Sequence, residues 1–167
     1  MHKGFNDIHH YRDIIRGLHA RRISVQGCFI FGMDGDAASV FETTVEAVGE
    51  LKIDIPRYAV YTPYPGTRAY ERLDREDRLL HRDWRLYDTQ HVVFQPARMT
   101  ARQLQDGLHW AYRETFRLPA IVRRLSETPQ PAIAFVGNLA YRRYAMRLPS
   151  PSDLPTPAWS PPAEARA

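Results

Sequence analysis

The stretch ISVQGCFIFGMDGDAASVFETTVEAVGELKIDIPRYAVYTPYPGT, residues 23–67, decides the reading of this chain. Two apolar runs, Ile23–Phe31 and Tyr58–Thr62, each end in a loop rich in Gly, Asp or Pro, and a segment of helical periodicity lies between them. Strand, loop, helix, strand, loop is the unit of a parallel sheet. A crossover of this length lets the second strand run beside the first, with a right-handed connection. Ligands in such units gather at the loops leaving the carboxyl ends of the strands. Here those loops are Gly32-Met33-Asp34-Gly35-Asp36 and Pro63-Tyr64-Pro65-Gly66-Thr67. A first strand this apolar is predicted to be buried on both faces. Gly27 within it implies a close neighbour, and Cys28 reads as a small core residue.

Helical signals continue on either side. Asn6 can cap a helix carrying Ile8, Tyr11, Ile14, Ile15 and Leu18 at helical spacing. Ser39 and Glu42 match a capping box, with Asp36 as a rival cap, ahead of an apolar face of Val40, Thr44, Val45, Val48 and Leu51. Thr67 is placed to cap a short helix. Residues 74–87 are charged, with Trp84 and Tyr87 as anchors, and His91–Phe94 reads as a final strand or extended segment. Thr100 and Gln103 form a second capping box before Leu104, Leu108, Ala111, Tyr112 and Thr115, and Pro119 ends or kinks that helix. A last amphipathic helix is expected over 132–147, with Ile133, Val136, Leu139 and Ala140 as one face. Six prolines within residues 149–162 predict a disordered tail.

The chain has 167 residues, enough for a sizeable core. It has no apolar run near the ~20 residues that span a bilayer, and its polar N-terminal residues lack a signal core. One cysteine excludes an intrachain disulfide framework and fits a reducing cytoplasm. It also excludes a cysteine-only zinc or iron–sulfur site within the chain. The net charge of +4 is uneven, since residues 98–147 hold nine arginines against three acids. That excess suits RNA, an acidic partner or anionic lipid. The plainer reading is a solvated arginine-rich helix face, and nucleic acid is disfavoured because no aromatic–basic alternation accompanies it. A non-catalytic binding module whose arginine-rich helices contact RNA or an acidic partner is the alternative function.

Gly27, Gly32 and Gly35 bracket the first loop and allow close approach of backbone to a ligand. Asp34 and Asp36 can accept hydrogen bonds from a ribose or an amine. The same pattern also serves a tight strand-to-helix turn that needs no ligand. Tyr61, Thr62 and Tyr64 stand at the second loop, where an aromatic can stack on a base and a hydroxyl can read a polar edge; Pro-x-Pro-Gly is equally rigid punctuation. The seven histidines lack metal-site spacing. His91, before an apolar run, is a conceivable substrate contact, although a structural role is the plainer one. Asp74, Glu76 and Asp77 form a solvated charged turn.

GCFIFGMDGD, YAVYTPYPGT and WRLYDTQHVVFQPARMT together resemble the second half of a radical S-adenosylmethionine enzyme, most nearly the subgroup with an upstream cobalamin-binding domain. The likeness runs from about Lys3 to Leu125. The three cysteines spaced C-x-x-x-C-x-x-C that define the family are absent. The resemblance implies an α/β fold: residues 1–97 as the C-terminal part of a parallel (β/α) TIM-like partial barrel, 98–147 as a helical extension and 148–167 as a loose tail. It implies an adenosyl pocket at Phe31, Gly32 and Met33, extended to Asp34, with Tyr61 and Thr62 on the adenine side. In the complete family enzyme the cofactors are S-adenosylmethionine and a [4Fe–4S] cluster, with cobalamin in the subgroup. No residue of this chain would be catalytic or bind the metal. The implied partners are a missing N-terminal half or complementing polypeptide, and a small-molecule substrate.

Overall fold

A computed structural model describes residues 8–148, with side chains from His10 onward. The Asn6 cap, the Ile8 side chain and the tail beyond Leu148 lie outside the described residues. The chain runs α1 (Ile8–Ala20), β1 (Gln26–Phe31), α2 (Val40–Glu50), β2 (Ile55–Val60), α3 (Arg68–Arg75), α4 (Ala101–Thr115), α5 (Leu118–Arg124) and α6 (Pro131–Arg147). Short 3-10 turns occupy Trp84–Leu86 and Leu125–Glu127.

β1 and β2 form a two-stranded sheet. Ile55 N–H donates to Val25 O at 3.2 Å and Tyr61 N–H to Phe31 O at 2.7 Å. The sequence offset is the same at both ends, so the strands are parallel and in register. On the far side of β2, Tyr58 N–H donates to the Tyr112 hydroxyl, which donates back to Tyr58 O at 2.7 Å. Val60 N–H donates to Thr89 O at 2.8 Å. Side chain and loop therefore close that edge. The described residues establish an α/β class with a small parallel sheet, without further strands that would mark a barrel.

Both strands start later or earlier than the apolar runs suggest. Ile23 lies outside β1 and is exposed, and β2 opens at Ile55 and stops before Tyr61. The prediction that β1 is buried on both faces is corrected. Gln26, Cys28 and Ile30 are exposed and alternate with the more covered Gly27, Phe29 and Phe31, so Cys28 is not a core residue. Apolar composition reports that a strand can be covered, while period-2 alternation puts alternate side chains on a face that no described residue covers.

The chain divides into two compact units. The first comprises 42–58, 110–147 and the described part of 1–29. Val48, Leu51, Ile53, Tyr58, Tyr112, Phe116 and Ile121 are buried in it. A polar network ties its helices to the β2 entrance. Asp54 accepts from Val25 N–H at 2.7 Å and meets His19 Nε2 at 2.8 Å. Its carbonyl accepts from Asn138 Nδ2 at 2.9 Å, and Asn138 Oδ1 accepts from buried Arg124. Arg124 also donates to Thr115 O at 2.8 Å and lies over the Phe116 ring.

α6 corrects another expectation. Its buried positions are Ala134, Asn138 and Ala145, whereas Ile133, Val136 and Leu139 are exposed. Small residues and one asparagine pack inward because Asn138 satisfies the Arg124 and Asp54 groups there.

The second unit comprises 30–41, 59–109 and Leu148 of the described residues. Phe31, Phe41, Val60, Leu73, Val93, Phe94, Leu104 and Leu108 are buried in it. The Thr100/Gln103 capping box forms reciprocally: Thr100 N–H donates to Gln103 Oε1 at 2.8 Å and Gln103 N–H to Thr100 Oγ1 at 3.0 Å. Gly107 sits inside α4, where glycine costs about 1 kcal/mol. A Cβ there would meet the Phe41 ring at 2.2 Å, so the glycine is required by close packing. Leu79 and Phe94 form an isolated antiparallel bridge, so 91–94 is an extended segment. Tyr87 is a buried anchor as expected, and Trp84 is exposed.

Candidate functional site

The predicted residues lie in the second unit, where the register of the sheet brings the two loops side by side. The Tyr61–Phe31 hydrogen bond continues the ladder one step past β2, so the Gly32 and Thr62 positions leave the sheet together. The face carrying Ile30, which is 53 % exposed, is open.

The first loop is built by Asp36. Its carboxylate accepts from Gly32 N–H at 2.9 Å and Met33 N–H at 3.0 Å, while its own N–H donates to Met33 O. Asp36 thus folds the loop. Gly32 has φ +96°, and a Cβ on it would lie 2.7 Å from Leu104 Cδ2 and 3.3 Å from Phe94 Cζ. Backbone conformation and packing each demand glycine. The Phe31 side chain is 1 % exposed and packs edge-on to Phe41, leaving its backbone at the loop. Met33 is exposed.

Asp34 is clamped between Arg72 of α3 (2.6 Å) and Arg78 (3.0 Å). Burial pushes its carboxyl up, but hydrogen bonds and charge from Arg78 and Arg72 outweigh that and hold it below the ordinary carboxylate value. Arg78 further binds Glu76 Oε2 and Gln95 O, both at 2.8 Å, and Arg98 donates to Gly35 O. The loop is therefore latched to segments far along the chain. These arginines were not found by sequence reasoning, because they lie 38 and 44 residues from Asp34 and sit within a run of charges.

The second loop is internally satisfied. The Thr62 hydroxyl donates to Val60 O at 3.0 Å, and Thr67 caps α3 by accepting from Tyr70 N–H. Gly66 takes φ +76°. The Tyr61 ring stands edge-on to Phe94, with centroids 5.7 Å apart. Tyr64 is exposed. His91 is paired with Asp88 at 2.9 Å, and Asp88 also accepts from Gln90 and His91 N–H. On Asp88, burial pushes the carboxyl up, and those donors outweigh it and lower it. The structure thus brings together Gly32, Met33, Asp34, Tyr61 and Thr62, and gives His91 a structural partner.

Chemically, this arrangement offers an aromatic ring, an exposed thioether and loop backbone beside an open sheet face. Groups of this kind can stack on or border a planar ligand. Among the described residues no group of three or more His, Cys, Asp or Glu side chains could hold a metal ion. The lone Cys28 cannot supply the thiolates of a [4Fe–4S] cluster, so the residues present do not fit that group.

No family model matches the chain. Curated relatives do. It is 33 % identical over 148 residues to the bacteriochlorophyllide d C-12(1)-methyltransferase of Chlorobaculum tepidum, covering 89 % of this chain and 32 % of that protein. It is 26 % identical over 110 residues to the anaerobic magnesium-protoporphyrin IX monomethyl ester cyclase of Cereibacter sphaeroides, covering 66 % and 18 %. It is 31 % identical over 110 residues to the tRNA-2-methylthio-N(6)-dimethylallyladenosine synthase of Nitrosomonas eutropha, covering 65 % and 24 %. The chain spans about a third of the length of these relatives, or less. Its homologues include enzymes of the radical S-adenosylmethionine family, each matched in part.

Proposed function

We propose that this chain is the C-terminal portion of a radical S-adenosylmethionine enzyme and supplies part of its adenosyl pocket and substrate wall. The observation that carries the reading is the paired loop exit. Tyr61 N–H on Phe31 O aligns the Gly32–Asp36 loop with the Tyr61–Thr67 loop at the carboxyl edge of two parallel strands, where α/β units bind ligands. Met33 and Tyr61 would border the adenosyl group, Gly32 would offer backbone, and Asp34 and Asp36 would hold the loop in shape. The capped edge of β2, and the outer edge of β1 with no strand beside it among the described residues, support a place as two terminal strands of a larger partial barrel. S-adenosylmethionine and a [4Fe–4S] cluster would belong to the complete enzyme, with the cluster held outside this chain. Cobalamin is part of the proposal only through the subgroup likeness. The relatives' names point to a chlorin, a porphyrin and a tRNA, so kinship speaks for shared cofactor chemistry and not for one substrate.

Anaerobic reconstitution with iron and sulfide tests this, with the chain alone and with a polypeptide carrying the three-cysteine motif. Cluster is expected only in the assembly, where added S-adenosylmethionine slows amide exchange in residues 32–36 and 61–67. A stoichiometric cluster on the isolated chain overturns the proposal. So do loops that exchange equally fast with and without S-adenosylmethionine in a cluster-loaded assembly.

A further inference from the structure

The face of α6 left bare by its inward packing has a composition of its own. Val136, Leu139, Arg143 and Met146 follow one another at three- and four-residue spacing, so they form one stripe, flanked by Ile133 and Arg147. Ile133, Val136 and Met146 are 70 %, 67 % and 70 % exposed, and α6 contains no Asp or Glu. Leu139, Arg142, Arg143, Met146 and Arg147 line a shallow depression on this surface. An exposed stripe of large apolar side chains rimmed by arginines marks an interaction face.

Charge and spacing select the covering. A second copy would set arginine stripes against each other with no acid on either helix to pair them. A nucleic acid would match the arginines but leave three aliphatic side chains against phosphate. A protein partner would need acids and apolar residues alternating in register with the stripe. A bilayer surface needs no register, because its polarity changes with depth. Aliphatic side chains enter the acyl boundary while arginine stems lie along it and carry their guanidinium groups up to the headgroups. No described helix is long and apolar enough to cross a membrane, so the contact would be at the surface.

We infer that the outward face of α6 docks on an anionic lipid surface, with Ile133, Val136, Leu139 and Met146 inserted and Arg143 and Arg147 on lipid phosphates. The inference is independent of the adenosyl pocket. Co-sedimentation of the full chain with phosphatidylcholine vesicles, with and without phosphatidylglycerol, tests it. Binding is expected only with phosphatidylglycerol and weakens with salt. Arg143→Gln/Arg147→Gln should weaken it about 25-fold, at roughly fivefold per arginine. Val136→Asp/Met146→Asp should abolish it, with far-UV circular dichroism unchanged because both side chains are exposed. Equal affinity for neutral vesicles, or binding that neither double variant alters, overturns the inference. So does capture of RNA or an acidic polypeptide without vesicle binding, or self-association that the Asp variant abolishes while vesicles are ignored.

Discussion

Replacing Gly32 by alanine separates what the loop needs for folding from what a ligand would need. The residue sits at φ +96°, where an L side chain costs about 1–2 kcal/mol. The added methyl would lie 2.7 Å from Leu104 Cδ2 and 3.3 Å from Phe94 Cζ, both in fully buried side chains. Such overpacking costs about 1–3 kcal/mol, so Gly32→Ala should lose about 2–5 kcal/mol in urea denaturation followed by circular dichroism. Leu104→Ala alone should lose about 2–5 kcal/mol by leaving a cavity. In the double variant the methyl group occupies that space, so the combined loss should fall short of the sum by about 1–3 kcal/mol, leaving the backbone part in place. A Gly32→Ala loss below about 1 kcal/mol would refute the backbone argument, and strict additivity would refute the packing argument. Loss of ligand binding in Gly32→Ala would not by itself locate a ligand; Met33 and Tyr61 variants would.

Thr100→Ala removes the hydroxyl that accepts from Gln103 N–H and should destabilise by about 1 kcal/mol in the same assay. Asp77 ends α3 at φ +52° with Arg78 N–H on Leu73 O, so Asp77→Gly should stabilise by up to about 1 kcal/mol, read as a rise in melting temperature. Burial pushes the Tyr58 and Tyr112 hydroxyls up to about 12 from 10.0, and pushes the Arg124 guanidinium down to about 10 from 12.5. Above pH ~10 the unfolded chain has lost tyrosine protons that the folded chain keeps, so the tyrosines' stabilisation drains away as pH rises through their folded values, and Arg124 acts with the opposite sign. Between about pH 8 and 11 each tyrosine withdraws about 1.4 kcal/mol and Arg124 returns a similar amount. Tyr58→Phe should cut the alkaline loss by one tyrosine's share in denaturation at both pH values, and an unchanged loss would refute it.

What the sequence made legible was local. The Thr100/Gln103 box, the Thr67 cap and the buried stripe Leu104, Leu108, Ala111, Tyr112 and Thr115 all depend on residues within a few turns of each other. Spacing therefore specifies them. Burial of β1 and α6 was misread for one shared reason: an apolar residue states what it tolerates, and only tertiary neighbours decide which face is covered. On α6 the deciding neighbours are Arg124, on another helix, and Asp54, 84 residues away, which draw Asn138 inward. The candidate site divides the same way. Gly32 and the two loops follow from the strand–helix–strand order, while the Arg72–Asp34–Arg78 clamp and the double hydrogen bond of Asp36 to the loop arise only in the folded chain.

The sheet itself supplies a probe of the proposed assembly. A two-stranded sheet is marginal alone, and parallel strands are ordinarily covered on both faces. Here β2 is closed at its edge by Tyr112 and Thr89, whereas the Gln26, Cys28 and Ile30 face of β1 is exposed. Strands completing the proposed barrel would pair along the outer edge of β1 and curve over that face, and so over Cys28. In the isolated chain, Cys28 should react with a maleimide at the rate of an exposed cysteine. Joined to a polypeptide that supplies the missing strands, it should slow in proportion to the fraction assembled, while Cys28→Ser gives no label in either state. An unreactive Cys28 in the isolated chain would mean that the face is already covered and would refute the open-sheet reading. Undiminished reactivity in a verified assembly would mean that the partner docks elsewhere, and the proposal that further strands curve over β1 would fall with it.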